Sequence, residues 1–210
     1  KLKKSLYGLK QSPRLWNQTI DQWMREQGFI STATDACIYR KETAPSQLIW
    51  VAIYVDDLLI FADDQHDMRQ FKDAISSRFQ MKDIGDPDLC LSIKITRDRT
   101  NGTLTLSQEH YLRHVLHTFG MDDCKPIGTP LAVGYIDMPA VKDEPLPDVP
   151  FRQLMGSLMY AATHTRPDIA VAVNVLCRHM HQYNMAHWKA AKHLLRYIKG
   201  TLHYTITYTR

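Results

Sequence analysis

The sequence predicts an α+β fold, in which helices and antiparallel hairpins follow one another without the strand–helix alternation of a parallel sheet. Helical hydrophobic spacing comes first, paired apolar runs joined by short polar turns come next, and helical patterns return after a proline-rich stretch. Hydrophobic residues make up 44% of the chain and charged residues 23%, which excludes a disordered composition. No run approaches the roughly 20 apolar residues that cross a bilayer, so we expect no membrane partner.

The first predicted helix covers residues 13–27. Ser12 followed by Pro13 is typical of a helix start, and Gly28 is a natural end. Its apolar residues recur at helical spacing: Leu15, Trp16, Ile20, Trp23 and Met24. We interpret Trp16 and Trp23 as core residues.

Strands are predicted at 36–41 and 47–62. Residues 48–55 are apolar on both faces, which favours a central strand covered on both sides. Asp56 and Asp57 interrupt the apolar run, which resumes over 58–61. The pattern therefore predicts a hairpin with two carboxylates at its tip.

The remaining elements follow in order. Met68, Phe71, Ile75 and Phe79 predict a second amphipathic helix. A second hairpin is predicted from 89–97 and 103–106 around the Asn101-Gly102 turn signal, and then Ser107 caps a third helix that ends at Gly120.

Residues 121–150 contain six prolines and are predicted to form an extended linker and the domain boundary. Helical patterns follow near 151–163, 167–182 and 186–199, before a short final strand.

Charge is unevenly distributed along the chain. Residues 1–14 carry five cations, namely Lys1, Lys3, Lys4, Lys10 and Arg14, and no acid; residues 169–210 carry six cations and no acid. Because the net charge is only +4, the middle is acidic. Two basic ends around an acidic centre suit a protein that holds a polyanion beside metal-binding carboxylates, although uneven surface charge is an equally simple explanation.

The adjacent carboxylates of Asp56 and Asp57 pose an energetic problem, because like charges beside apolar strands repel unless a cation compensates. Mg²⁺ prefers hard oxygen ligands, and paired metal ions serve phosphoryl transfer. The alternative is that Asp-Asp is simply favourable turn chemistry on a soluble hairpin.

The residues around this hairpin resemble copia-type (Pseudoviridae-like) retrotransposon reverse transcriptases, encoded within a Pol polyprotein. Tyr54-Val55-Asp56-Asp57 resembles the family's catalytic motif, and residues 4–16 (Lys-Ser-Leu-Tyr-Gly-Leu-Lys-Gln-Ser-Pro-Arg-Leu-Trp) resemble the block preceding it. The similarity continues through residues 81–85 (Met-Lys-Asp-Ile-Gly), Thr165-Arg166-Pro167-Asp168-Ile169 and residues 187–192.

The resemblance implies a right-hand polymerase palm, an antiparallel sheet with helices, followed by thumb and connection helices. Residues 1–106 would be the carboxy-terminal part of the palm with a primer-grip-like hairpin, and 107–120 a thumb-like helix. Residues 121–150 would be the linker, and 151–210 the connection toward a ribonuclease H domain that this chain lacks.

The resemblance also implies site residues. Asp56 and Asp57 would be the catalytic and metal-ligating residues for Mg²⁺, or Mn²⁺ in its place. Tyr54 and Val55 would contact the primer and the incoming nucleotide, with Gly8 and Lys10 near template and phosphate. The reaction would be attack of a primer 3′-hydroxyl on a deoxynucleoside triphosphate.

Two departures from the family pattern bear on activity. The family's first catalytic aspartate is expected upstream of Lys1, so we expect the isolated chain to be inactive. In the primer-grip region, Cys90-Leu91-Ser92 stands where the family has an aromatic residue, Leu and Gly. The lost glycine suggests a decayed element, so a non-catalytic nucleic-acid-binding remnant is the alternative function.

A basic stripe is predicted on the last helix, where cations are spaced by three, four and three residues: Lys189, Lys192, Arg196 and Lys199. It suits a nucleic-acid backbone, but an ordinary solvated face explains it almost as well. His110, His114 and His117 share a helical face without a partner set for zinc, so we interpret them as surface or half-buried residues.

The expected partners are an RNA or DNA primer–template, deoxynucleoside triphosphates and the rest of the Pol polyprotein. The family implies an intracellular location in a cytoplasmic virus-like particle. The four scattered cysteines, which include no C-x-x-C pair, are interpreted as reduced, mostly buried thiols.

Overall fold

A computed structural model describes residues 5–135 and 145–210 of the chain. The predicted basic residues Lys1, Lys3 and Lys4, and residues 136–144 of the predicted linker, lie outside the described residues. The chain divides into two compact units, the first ending at Asp86 and the second beginning at Pro87. Among the described helices, none is both long enough and apolar enough to cross a membrane.

The first unit contains two helices and a four-stranded antiparallel sheet. Its elements are α1 (Ser12–Glu26), β1 (Ile30–Ser31), β2 (Ile38–Ala44), β3 (Gln47–Tyr54), β4 (Asp57–Ala62) and α2 (Gln65–Arg78). The sheet has the order β1-β2-β3-β4. The predicted first helix, the hairpin and the second helix are therefore confirmed, within a residue or two at their ends.

The core of this unit joins one face of the sheet to both helices. From β3 it takes Ile49, Val51 and Ile53, and from α2 it takes Phe71 and Ile75. The opposite face of β3 is only half-buried, at Leu48, Trp50 and Ala52, and neighbouring Phe61 is 55% exposed. The expectation of a central strand covered on both sides is thus wrong within this unit. A continuous apolar run does not distinguish a strand buried on both faces from one with a half-covered face.

The second unit contains a second four-stranded antiparallel sheet and a helical cluster. Its elements are β5 (Leu89–Cys90), β6 (Ile93–Asp98), β7 (Thr103–Ser107), α3 (Glu109–Thr118), α4 (Phe151–His164), a 3-10 turn (Pro167–Ile169), α5 (Ala170–Cys177), α6 (Met185–Gly200) and β8 (Ile206–Thr209). Ser107 is not the N-cap of α3, because Gln108 occupies that position. The Ser107 hydroxyl nevertheless accepts a hydrogen bond from the Glu109 amide, at 3.2 Å.

One core joins all four helices of the second unit. Leu112 and Leu116 of α3 belong to the same buried cluster as Leu154 of α4, Leu176 of α5 and Leu194 of α6. Residues 107–120 and 151–210, which the sequence assigned to separate regions, therefore share one core. The hairpin at 89–106 also lies in this unit, whereas the sequence grouped it with the Asp-Asp hairpin.

The final strand completes the second sheet. β8 pairs antiparallel with β7, with Thr105 opposite Thr207 and Leu106 opposite Ile206. The sheet therefore has the order β5-β6-β7-β8. The sequence predicts the strand, but nothing in its local pattern identifies a partner about one hundred residues away.

The proline-rich segment is not simply extended where the structure describes it. The Arg196 guanidinium Nε donates to the Lys125 carbonyl oxygen at 2.8 Å, and the Ile127 amide donates to the Arg196 carbonyl oxygen at 3.4 Å. His193 Nε2 lies 3.0 Å from the Thr129 carbonyl oxygen. Residues 125–129 therefore run along α6.

Candidate functional site

The Asp-Asp hairpin has the shortest common form of turn. Tyr54 pairs with Asp57 across it, so Val55 and Asp56 are its two central residues. Of these two, only Val55 has a positive φ, at 53°. This matches a type II′ turn, in which glycine normally occupies the first central position. A β-branched residue with positive φ is a strained conformation of the kind that clusters at functional sites.

A side chain of α1 contacts this turn directly. The Trp16 indole Nε1–H donates to the Val55 carbonyl oxygen at 2.6 Å. Trp16 is half-buried, whereas Trp23 is buried, so the interpretation of both as core residues holds only for Trp23. Sequence reasoning missed the role of Trp16, because helical periodicity reports the face of a residue but not its hydrogen bonds.

The carboxylates of Asp56 and Asp57 are exposed at the hairpin tip, together with Tyr54 and Val55. Two carboxylates, one in the turn and one at the start of β4, can contribute to a divalent-cation site completed by water and phosphate. Within residues 5–135 and 145–210, no group of three or more His, Cys, Asp or Glu side chains is arranged to hold a metal. The described chain thus supplies two adjacent carboxylates and no third.

The segment containing Gly8 and Lys10 leads directly into α1. Gly8 has a φ of +88° and forms part of a turn in which the Leu9 amide donates to the Leu6 carbonyl oxygen at 3.3 Å. Both Gly8 and Lys10 are exposed. The helix begins at Ser12, about one helical turn before Trp16. The segment therefore precedes the same helix that contacts the Val55 carbonyl.

The β5–β6 hairpin of the second unit also has a strained turn. Cys90 pairs with Ile93, which leaves Leu91 and Ser92 as central residues, with φ values of 48° and 62°. Two positive φ values define a type I′ turn, which favours Asn and Gly. Ser92 therefore occupies the left-handed conformation at the position where the family has glycine. The Tyr160 hydroxyl donates to the Leu91 carbonyl oxygen.

The basic stripe lies along α6, and its members differ in environment. Lys189 is exposed, while Lys192 is half-buried, with its ammonium 5.7 Å from the centre of the Trp188 ring. Arg196 is bound to the Lys125 carbonyl, and Lys199 is half-buried. The stripe is therefore partly occupied by contacts within its own unit.

Other residues singled out in the sequence are exposed or half-buried. His110, His114 and His117 are exposed, as expected, and His117 Nδ1 lies 3.1 Å from Asp122 Oδ2. All four cysteines are half-buried, so the expectation that most are buried is wrong.

A charge cluster around the buried Arg166 of the second unit was not predicted. Arg166 is 1% exposed, and its guanidinium donates to both carboxylate oxygens of Asp168, at 2.9 and 2.8 Å. Arg166 also donates to the Thr201 hydroxyl at 2.6 Å, and the Tyr197 hydroxyl donates to Asp168 at 2.9 Å. Burial raises the pKa of the Asp168 carboxyl, but Arg166 and Tyr197 lower it by more, so this pKa lies below its ordinary value. The sequence signal for this cluster was the Arg166-Pro167-Asp168 motif, which formed part of the family resemblance but was given no role.

Comparison with known proteins bears on this geometry. A family model described as "Reverse transcriptase (RNA-dependent DNA polymerase)" matches residues 1–133, which include the whole Asp-Asp hairpin. The chain belongs to this reverse transcriptase family. No solved structure matches it.

The relatives include proteins of copia-type transposons. The chain is 42% identical, over 96% of its length, to the Pol polyprotein from transposon TNT 1-94 of Nicotiana tabacum, and covers 16% of that polyprotein. It is 36% identical to the Pol polyprotein from transposon RE2 of Arabidopsis thaliana, over 96% of the chain and 14% of the polyprotein. It is 30% identical to a transposon Ty5-1 protein of Saccharomyces cerevisiae, over 93% of the chain and 63% of that protein. The chain thus spans less than a fifth of the plant polyproteins.

Proposed function

We propose that this chain forms part of the active site of an RNA-directed DNA polymerase from a copia-type retrotransposon. The observation that carries the proposal is the Tyr54-Val55-Asp56-Asp57 turn, which presents two adjacent carboxylates at the tip of a rigid hairpin. Membership of the reverse transcriptase family favours this role over plain turn chemistry.

The two carboxylates fit a magnesium site in the chemistry of their donors. Mg²⁺ is commonly bound in polymerases by one or two carboxylates together with substrate phosphates and water. Asp56 and Asp57 are the proposed ligands, with Mn²⁺ as an alternative ion. When bound, the metal promotes attack by the primer 3′-hydroxyl and stabilises the leaving pyrophosphate. The third carboxylate is, in this proposal, the family's first aspartate.

The residues around the carboxylates are proposed to contact the substrates. Tyr54 lies along the primer end, and Val55 contacts the primer terminus and the incoming nucleotide. Gly8 allows the backbone to approach the template closely, and Lys10 offers positive charge near phosphate. The exposure of all four residues supports this assignment.

The first unit, through Asp86, is proposed as part of the polymerase palm. The hairpin over 89–106 is proposed as the primer grip, α3 as a thumb helix, and the helices from Phe151 onward as the connection. Lys189, Lys192, Arg196 and Lys199 are proposed to follow the nucleic-acid backbone, Lys189 being the most accessible of the four. The remaining proposed partner is the rest of the Pol polyprotein. The proposed location is a cytoplasmic virus-like particle.

Magnesium-dependent primer extension on an RNA template tests the polymerase proposal. Three proteins are compared: this chain, a longer Pol segment that includes the family's first aspartate, and that segment with Asp56→Asn. We expect extension by the longer segment alone, and a loss of at least about a hundredfold with Asp56→Asn, because a metal ligand is removed. Asp122→Asn, an exposed carboxylate in the second unit, is the matched control and retains activity.

A nucleic-acid-binding remnant is the second candidate, favoured by the left-handed Ser92 at the primer-grip turn and by the basic α6. In that case no protein extends the primer, while all bind a primer–template duplex with an affinity that falls as salt rises. Extension by the longer segment excludes this alternative.

A further inference from the structure

The hydrogen bond between α1 and the hairpin turn is made to the peptide group that precedes Asp56. Val55 immediately precedes Asp56, and its carbonyl belongs to the peptide group that joins the two residues. The orientation of this peptide plane sets the direction in which the Asp56 backbone leaves the turn. The Trp16 indole N–H holds that carbonyl at 2.6 Å.

The turn needs such a contact because its conformation is unfavourable for its sequence. Val55 has a φ of +53°, and valine rarely adopts positive φ unless the surroundings impose it. Strand pairing fixes the flanking residues Tyr54 and Asp57 but leaves the central peptide free to rotate. A donor on the Val55 carbonyl selects one orientation of that peptide.

Trp16 of α1 packs against Phe79, the residue that follows α2. Its ring packs edge-to-face on Phe79, with ring centres 5.3 Å apart, and Phe79 packs in the same manner on Trp23 at 5.7 Å. Trp23 in turn contacts Phe71 of α2 at 5.9 Å. The donor therefore projects from a fixed aromatic row, whose far end lies in the core.

We propose that Trp16 is a positioning residue of the polymerase site, whose indole N–H fixes the Val55–Asp56 peptide and thereby the direction of the Asp56 carboxylate. The inference rests on the proposed function for its catalytic consequence, but the effect on the turn does not depend on activity. Trp16 touches neither metal nor substrate in this role; it acts through Val55.

Amide hydrogen exchange in this chain tests the structural part. Trp16→Phe removes the donor and keeps an aromatic ring, and Trp23→Phe, in the same aromatic row, is the matched control. The measured quantity is a ratio of exchange rates: that of the Asp57 amide, which closes the turn, divided by that of the Val51 amide in the buried part of β3. We expect Trp16→Phe to raise this ratio about tenfold, which corresponds to the loss of one hydrogen bond. Trp23→Phe should leave the ratio unchanged. Equal ratios in the two variants overturn the proposal.

Primer extension by the longer Pol segment tests the catalytic part. Trp16→Phe is expected to lower kcat about tenfold and raise the magnesium concentration for half-maximal rate, with KM for the primer–template unchanged. Trp16→His, which restores a ring N–H, recovers part of kcat. A rise in KM alone, or no recovery with histidine, contradicts a positioning role. If the unsubstituted segment does not extend primers, the polymerase proposal fails while the exchange result still decides the role of Trp16.

Discussion

At the scale of single residues, the second unit contains an ion pair between a buried guanidinium and a partly exposed carboxylate. Arg166 has an exposed fraction of 1%, and its partner Asp168 also accepts the Tyr197 hydroxyl. The partners come from the 3-10 turn and from α6, so the pair ties neighbouring elements together. Loss of one member leaves a buried charge without its counterion, which is among the most costly changes a folded protein can undergo.

Asp168→Asn should reduce the free energy of unfolding by about 2 kcal/mol at pH 7, because the buried Arg166 loses its counterion, while the partly exposed position of residue 168 lets water replace part of the interaction. The folded-state pKa of Asp168 lies below its ordinary value. The pair therefore stabilises the fold fully above about pH 4, and this contribution disappears as pH falls through the lower, folded-state pKa. Urea unfolding at pH 7, 5 and 3 measures both effects.

The difference between wild type and Asp168→Asn should therefore shrink toward pH 3. Asp122→Asn, which removes an exposed carboxylate beside His117, should change stability by less than about 0.5 kcal/mol. If Asp168→Asn lowers the free energy of unfolding equally at pH 7 and pH 3, the stabilisation does not come from a charged Arg166–Asp168 pair.

At the scale of elements, the β3–β4 and β5–β6 hairpins end in turns that their sequences do not favour. Val55 in one, and Leu91 and Ser92 in the other, have positive φ without being glycine. In each turn, the carbonyl of the first central residue accepts a hydrogen bond from an aromatic side chain, Trp16 or Tyr160. The sequence predicts the reversal at the Asp-Asp hairpin, but its prediction of one extended stretch over 89–97 is wrong, because the chain turns at Leu91 and Ser92. Tertiary contacts stabilise the conformation of each turn.

The edge strand β8 provides a prediction at the same scale. The Arg210 amide donates to the Gly102 carbonyl oxygen. Hydrogen-bonded and non-hydrogen-bonded pairs alternate along an antiparallel ladder. The Tyr208 N–H should therefore also point toward β7, whereas the Thr209 N–H should point away from it. Tyr208→Pro should therefore remove a ladder hydrogen bond and cost about 3 kcal/mol, whereas Thr209→Pro should cost about 1 kcal/mol or less. Equal losses in urea unfolding would show that the register differs from this one.

Most elements of the fold could be predicted because their signals are local. Apolar spacing predicts α1 and α2, and Asn101-Gly102 predicts the turn between β6 and β7. The pairing of β8 with β7, and the shared core of α3 with α4–α6, could not be predicted because both depend on contacts distant in sequence. The carboxylates of the candidate site were found from their motif, whereas Trp16 was missed because its contribution is a hydrogen bond to a distant backbone.

At the scale of the whole molecule, the chain has two cores. Ile75 belongs to the core of the first unit and Leu194 to that of the second, and both side chains are almost completely buried. The boundary at Asp86 and Pro87 differs from the expected boundary in the proline-rich segment. Within the proline-rich segment, residues 125–129 lie along α6, because prolines restrict backbone conformation without preventing a chain from lying on a surface.

Separate cores should unfold separately. Ile75→Ala and Leu194→Ala should each destabilise by about 2–5 kcal/mol, the usual cost of truncating a buried aliphatic side chain. We expect each substitution to accelerate hydrogen exchange within its own unit and to leave protection in the other unit unchanged, as measured by mass spectrometry of peptides from both units. Loss of protection throughout the chain in either variant would indicate a single cooperative structure.

The pairing of β7 with β8 also has a consequence for how the chain reaches its fold. The hydroxyl oxygens of Thr105 and Thr207 approach to 3.3 Å although 102 positions separate them. During synthesis, the hairpin of β6 and β7 emerges long before its last strand, so one edge stays open while four helices are still being made. Such long-range closure is slow, and an open edge can pair with another nascent chain. Shortening the chain before Ile206 should therefore reduce the yield of monomer even where every helix is retained.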